Sequence, residues 1–364
     1  MRKIKIVSIV GARPNFVKIA PFIRELKKHK DIINILIHTG QHYTDYMSDI
    51  FFRDFKISKY ISLGVGPSSQ VKQMAKIMQR LERTLLREKP DLVVVVGDVT
   101  STLAGTLVAA RLNIKAAHIE AGLRSFDRSM PEEINRLLTD AISDFLFVTE
   151  PSGINNLKRE GFSKEKIFFV GNIMIDSLVS HLKEARKRKI MQELNLKKKE
   201  YAVLTLHRPS NVDNKEKLGK IVETLSKLQK IIKIVYPVHP RTVKMLRKFG
   251  FLEELRRQPG LILIKPLGYI DFLSLMMSAK CVITDSGGMQ EETTYLGIPC
   301  FTLRKNTERP ITVTQGTNVV IGENYAKLLG LVKRISIRRK IRRPKYWDGR
   351  TAARIVKILK ASLQ

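Results

Sequence analysis

The sequence predicts an α/β protein made of two doubly wound, Rossmann-like domains with a cleft between them. Three observations carry this. Short apolar runs alternate with amphipathic stretches, the pattern of a mostly parallel sheet wrapped by helices. The alternation occurs twice, with a highly charged helical segment at 177–200 between the two runs. The 364 residues, 43% of them hydrophobic, suffice for two cores of ordinary size.

In the first half, strands are expected at Ile4–Val10, Ile32–His38, Asp91–Val96, Ala116–Ile119 and Phe145–Val148. Helices fit Pro14–Lys28, Gln70–Arg87, Thr100–Arg111 and Pro131–Ile142. Pro14 and Pro131 suit a first helical turn, and Ser69 or Thr100 could cap the helix it precedes or opens. In the second half, strands are expected at Ala202–Leu206, Lys233–Val238, Leu261–Ile264, Cys281–Thr284 and Pro299–Thr302. Helices fit Lys215–Gln229, Arg241–Arg247, Ile270–Ser278, Gly287–Tyr295 and Tyr325–Ile335. This divides the chain into a first domain at 1–176, a helical linker at 177–200 and a second domain at 201–348. The segment 349–364 has Ala353, Ile355, Val356, Leu359 and Leu363 at helical spacing. It is expected to be a terminal helix packed back on the first domain.

The formal net charge of +32, from 66 Lys and Arg against 34 Asp and Glu, raises the question of nucleic acid. The cations run along helices, as in Lys183-Glu184-Ala185-Arg186-Lys187-Arg188-Lys189, without interleaved aromatics, so they read as solvated surface. No nucleic-acid partner is expected, although the field should draw anionic substrates. Abundant Lys is common in proteins of heat-loving organisms. No apolar run approaches a membrane span, and the opening residues read as a strand rather than a signal peptide. With only two cysteines, Cys281 and Cys300, both in apolar runs, the expected compartment is the cytoplasm, with both thiols buried.

Segments at and near strand ends carry the polar chemistry. Gly11-Ala12-Arg13-Pro14-Asn15-Phe16-Val17-Lys18 offers a tight turn, a helix N-terminus and the cations Arg13 and Lys18, a set that suits a diphosphate or an ordinary turn. In Gly97-Asp98-Val99-Thr100, Asp98 follows a buried strand and is either a helix cap or a reactive acid. In His118-Ile119-Glu120-Ala121-Gly122-Leu123-Arg124, Glu120 is either the partner of Arg124 or a second reactive acid. Pro131-Glu132-Glu133 puts two acids in a first helical turn, where the dipole favours them anyway. Acids converging on one sheet edge push their pKa values apart, so that one accepts a proton while another donates. Leu206-His207-Arg208 and Val238-His239-Pro240 follow strands of the second half. Thr284-Asp285-Ser286-Gly287-Gly288-Met289-Gln290-Glu291-Glu292 is the most distinctive, a strand followed by a glycine pair opening a helix, which makes a nest of N–H groups for phosphate. Glu292 lies one turn in, within reach of a ribose diol, and Thr307-Glu308-Arg309-Pro310 adds a cation downstream. No metal-ligand spacing occurs, and no GxGxxG to hold a dinucleotide cofactor.

In this order and spacing the segments resemble the non-hydrolysing UDP-N-acetylglucosamine 2-epimerases, from Gly11-Ala12-Arg13-Pro14 to Asp348-Gly349-Arg350-Thr351-Ala352. The resemblance implies a GT-B-like architecture, a cofactor-free isomerase that interconverts UDP-N-acetylglucosamine and UDP-N-acetylmannosamine, and a homodimer. It implies Asp98, Glu120 and Glu132 as catalytic acids, with His207 beside them. The UDP-binding residues it implies are Arg13, Lys18, His207, Ser286, Gly287, Gly288 and Arg309, with Glu292 on the ribose. Leu267 and Phe272 would lie near uracil. Gln41, His42, Gln70, Arg208 and His239 resemble a second site where UDP-N-acetylglucosamine binds as activator. Two departures stand out: Asn15-Phe16 where many members have Glu and a small residue, and Leu267 where many have Gln. A GT-B glycosyltransferase and a hydrolysing epimerase are the competing readings.

Overall fold

Five consecutive apolar residues, Leu92–Val96, form a strand in which every side chain is wholly buried, as a parallel strand covered on both faces requires. The computed structural model describes residues 2–41, 54, 55, 57, 59–335 and 343–363. These divide into two compact units, one up to Ser180 joined by the residues from Lys345 onward, the other His181–Pro344.

The first unit is built on β1 (Ile4–Val10), β2 (Ile32–His38), β3 (Ile61–Ser62), β4 (Leu92–Val96), β5 (Lys115–Ala121), β6 (Phe145–Val148) and β7 (Ile167–Phe169). They pair in parallel in the order β3-β2-β1-β4-β5-β6-β7. The order reverses direction between β1 and β4, so a crevice opens at the carboxyl ends of those two strands, the place where such sheets take ligands. Gly11 and Gly97 lie there. The helix Thr351–Leu363 packs on the helix Arg13–Leu26, and Ile355, Val356 and Leu359 share a core with Phe16, Ile19 and Phe22. Its N-terminus is held by Asp176, whose carboxylate accepts from the N–H groups of Thr351 (3.1 Å) and Ala352 (2.8 Å).

The second unit repeats the plan with β8 (Tyr201–Thr205), β9 (Lys233–Pro237), β10 (Leu261–Ile264), β11 (Cys281–Thr284), β12 (Cys300–Thr302) and β13 (Asn318–Val320). The order is β10-β9-β8-β11-β12-β13, again parallel, with the reversal between β8 and β11. His207 and Asp285 follow those two strands. Cys281 and Cys300 are both buried in the sheet, and burial pushes each thiol up to about 12, so neither is a thiolate nucleophile.

The other expected elements agree with the observed ones within a residue or two, but the charged segment 177–200 is not one helix: Ile173–Ala185 begins before it and Ile190–Glu193 lies within it. The strands β3, β7 and β13, of two or three residues, and the helix Pro151–Arg159 go beyond the sequence expectation. Neither expected cap forms. Ser69 occupies the cap position, but its side chain makes no cap hydrogen bond. Thr100 lies inside the first turn, because Val99 holds the extended cap conformation (φ −80°, ψ 166°). Among the described residues no helix is long and apolar enough to cross a membrane.

Candidate active site

In the first unit, Glu120 is the last polar residue of β5 and is buried. Its φ of 83° is a left-handed value unusual for a side-chain-bearing residue, and the β5–β6 register shifts at the same place. A strained residue in a bulge at a strand end marks an imposed side-chain direction. Its carboxylate meets the ammonium of Lys18, equally buried, in an ion pair. Next to this pair lies Gly97 at φ 72°, where a Cβ would stand 3.3 Å from Lys18 Nζ and 3.5 Å from Glu120 Oε2. The glycine therefore lets the β4 turn approach the pair. Asn15, buried behind it, donates to Val96 O (2.8 Å) and accepts from Ala12 N–H (3.0 Å), tying the turn after β1 to the end of β4.

Asp98 follows directly. It does not cap the next helix; Arg136 donates to its Oδ2 from Nε (3.1 Å) and Nη2 (2.8 Å). Arg136 also pairs with Glu133, which accepts from the N–H groups of Ser125 and Phe126 (both 2.9 Å). Of the two acids in that helical turn, Glu133 is thus structural, whereas Glu132 stays half-buried on the turn itself. Arg124 is not the partner of Glu120 either. It pairs with Asp140 (2.7 Å) and, through two hydrogen bonds, with Glu160. The reason is directional: the bulge at Glu120 turns its side chain toward Lys18.

In the second unit, Asp285 is fully buried and accepts from the N–H groups of His207 (3.0 Å) and Arg208 (2.9 Å), from Asn211 Nδ2 (3.1 Å), and from the His207 ring at Nδ1 (2.9 Å). Burial alone would raise its pKa; the His207 ring, the Arg208 N–H and Asn211 outweigh it and hold the carboxyl below its ordinary value. His207 is fixed at Nδ1, with its ring partly open to solvent and 5.8 Å from the ring of His239. The helix Gly287–Leu296 begins two residues past Asp285. A Cβ on Gly287 would stand 2.7 Å from Arg309 Nη1, so the guanidinium lies against the helix N-terminus. Glu291 (2.8 Å from Nε) and Glu308 (3.6 Å from Nη1) hold it there, and Arg304 binds Glu308 in turn. Glu292, one turn in, is buried and bonded to Tyr269 Oη (2.9 Å). Burial, with a smaller contribution from Glu291, lifts its carboxyl to about 7.

Acids braced by cations at the first unit's switch point suit proton transfer, and the glycine-opened helix N-terminus with its arginine in the second unit suits a phosphate. Comparison with known proteins agrees. Residues 24–360 match the model of the UDP-N-acetylglucosamine 2-epimerase family. The chain belongs to that family. It is 45% identical over 359 residues to a UDP-N-acetylglucosamine 2-epimerase homolog of Methanococcus maripaludis, covering 98% of this chain and 99% of the relative. It is 44% identical over 362 residues to the UDP-N-acetylglucosamine 2-epimerase of Methanocaldococcus jannaschii, covering 98% of each. The crystal structure of a Methanocaldococcus jannaschii UDP-GlcNAc 2-epimerase in complex with UDP-GlcNAc and UDP superposes with a TM-score of 0.92 at 43% identity, over 98% of this chain and all of that one. The fold of this epimerase-family chain is accordingly GT-B-like.

Within this family member, the first unit brings Lys18, Asp98 and Glu120 to one switch point; Glu132 opens the helix that supplies Arg136. The second brings His207, Arg208, Ser286, Gly287, Gly288 and Arg309 to the other, with His239 beside them. Leu267 and Phe272 are partly buried where the helix Tyr269–Ser278 begins. Gln41 is turned inward, its Oε1 accepting from Ser101 N–H (3.0 Å) and Oγ (2.7 Å). Gln70 is exposed; Gln73, a turn later, is the residue that bonds Gln41 O (2.9 Å). His42 and the side chain of Arg13 lie outside the described residues. Sequence reasoning missed His118, Arg136, Asp140, Glu291 and the bracing role of Asp285. Each is buried and polar inside a segment already singled out or one turn beyond it, and an unpaired charge cannot be buried cheaply. That was the available signal.

Proposed function

We propose that this chain interconverts UDP-N-acetylglucosamine and UDP-N-acetylmannosamine by eliminating UDP and adding it back. The observation that carries the reading is the pair of carboxylates Asp98 and Glu120 at adjacent strand ends, each braced by its own cation, Arg136 and Lys18. The C2 hydrogen of the sugar is poorly acidic, and UDP on C1 is a good leaving group. A carboxylate takes the C2 proton, the C2–H electron pair forms the C1–C2 double bond, and the C1–O bond breaks to release UDP. The intermediate is 2-acetamidoglucal. A proton returned to the opposite face of C2, with UDP re-adding at C1, gives the epimer. Inversion thus needs two acid/base groups in different places, or one that reaches both faces, and Asp98, Glu120 and Glu132 are assigned these roles.

The second unit is assigned the nucleotide. The N–H groups after Ser286, with Gly287 and Gly288, Arg309 and the His207 ring would take the diphosphate and stabilise the charge that grows on it as C1–O breaks. Glu292 would take the ribose, with Leu267 and Phe272 beside uracil; Arg13 and Lys18 complete the assignment from the first unit. Gln41, His42, Gln70, Arg208 and His239 are assigned to a second, activating UDP-N-acetylglucosamine. The product is an activated sugar, the form glycan-building transferases consume, which supports a role in cell-surface or glycoprotein glycan synthesis. NMR of UDP-N-acetylglucosamine incubated with the protein in deuterated water tests the reading. The manno isomer should form with deuterium at C2 and without an acceptor. Conversion without C2 exchange rejects the elimination, and free N-acetylmannosamine as product rejects the non-hydrolysing class.

A further inference from the structure

We infer that His118 and Asp140 are positioning residues that set the spacing between Asp98 and Glu120. His118 is wholly buried in β5, two residues before Glu120. Its Nε2 lies 2.8 Å from Gly97 O, and its Nδ1 2.6 Å from Asp140 Oδ1. A carbonyl oxygen only accepts, so Nε2 carries a proton. The other oxygen of Asp140 already accepts from Gly122 N–H (3.0 Å) and Arg124 (2.7 Å), as an ionised carboxylate does. The ring thus bridges the Gly97 carbonyl, to which it donates from Nε2, and the buried carboxyl of Asp140 at Nδ1. Arg124, paired with Asp140, is itself paired with Glu160.

The geometry makes the ring a brace. The Gly97 N–H donates to Ile119 O (3.1 Å), and the Gly97 carbonyl accepts from His118. The two peptide groups that flank Gly97, directly before Asp98, are thus both fixed to β5, one at the Ile119 carbonyl and one at the His118 ring. A shift of the Gly97 turn would move Asp98 relative to Glu120 while leaving the second unit untouched. Asp140 also holds Gly122 N–H, on the far side of Glu120, so one carboxylate anchors the loop both before and after the strained residue.

The inference rests on the reading of Asp98 and Glu120 as the C2 acids, and two measurements separate the failure of one from the failure of the other. Nitrogen-15 NMR of the ring needs no turnover. A ring N–H resonance at Nε2 is expected for His118, and an unprotonated Nε2 overturns the brace. In the epimerisation assay, His118→Phe should lower kcat about 100-fold, the cost of a misplaced acid, while KM and the affinity for UDP stay unchanged. His118→Gln, which keeps a donor for Gly97 O, should recover part of the loss. Wild-type kcat in His118→Phe, or a loss confined to KM, overturns the inference. If His118→Phe does not fold, Asp140→Asn must give the same loss in kcat alone, and unchanged kcat there has the same meaning. Absence of C2 epimerisation in the wild-type protein would instead sink the proposed function, leaving the NMR result to decide the brace.

Discussion

Glu120 shows how much a single side chain is asked to do. It accepts a left-handed backbone, which costs about 1–3 kcal/mol, and it holds the Lys18 ammonium out of water. Such an arrangement is worth keeping only where direction matters more than stability. Asp98→Asn and Glu120→Gln should each lose about 100-fold or more in rate while the circular dichroism spectrum stays native; full activity would reject the assignment. Glu292 makes a second, independent prediction. Its carboxyl sits at about 7, above the ordinary 4.5, because burial favours the neutral form. The folded state therefore holds a proton that the unfolded chain has released, and stability from this group is full below 4.5 and lost as pH rises through 7. Chemical denaturation from pH 5 to 8 should show that decline, and Glu292→Gln should flatten it. A decline equally steep in the variant would place its source elsewhere.

At the scale of elements, the helix Gly287–Leu296 depends on a residue with no side chain. Gly287→Ala would push its methyl into Arg309, and a displaced guanidinium forfeits a charge-assisted hydrogen bond. UDP affinity, measured by titration calorimetry, should fall about tenfold or more, and unchanged affinity would remove Arg309 from the diphosphate. The elements themselves were largely legible. Leu92–Val96 is too apolar for anything but a buried strand, and Gly287-Gly288 after Thr284 announces a strand-to-helix turn. The site was legible only by segment. Glu132 and Glu133 occupy the same helical turn, and what separates them is the pair of N–H groups at Ser125 and Phe126, which no periodicity reveals. Gln70 and Gln73 differ likewise through Gln41, some thirty residues away in the chain. The Asn15 amide both donates and accepts across the β1 turn, a pairing visible only once β1 and β4 lie side by side. Sequence spacing locates a residue on its element; the partner comes from another element.

For the molecule as a whole, the +32 charge should steer an anionic nucleotide sugar. Raising ionic strength should lower kcat/KM for UDP-N-acetylglucosamine more than it lowers kcat, and a salt-independent kcat/KM would remove steering from the account. The homodimer that the resemblance implies would cover Val71 and Leu86 on one first-unit helix and Ile134 and Leu138 on another, all exposed and apolar. Light scattering at micromolar concentration should give twice the 41.6 kDa chain mass, and a monomer would reject it. The helix Thr351–Leu363 carries a different consequence, for the order of events at the ribosome. Domains generally fold in the order they are synthesised. Here the first unit lacks part of its core until residues 351–363 emerge, after all of His181–Pro344 has been made. The unit that starts first is completed last, and a stalled or truncated chain would present a finished second unit beside a first one with an open apolar groove along Phe16, Ile19 and Phe22.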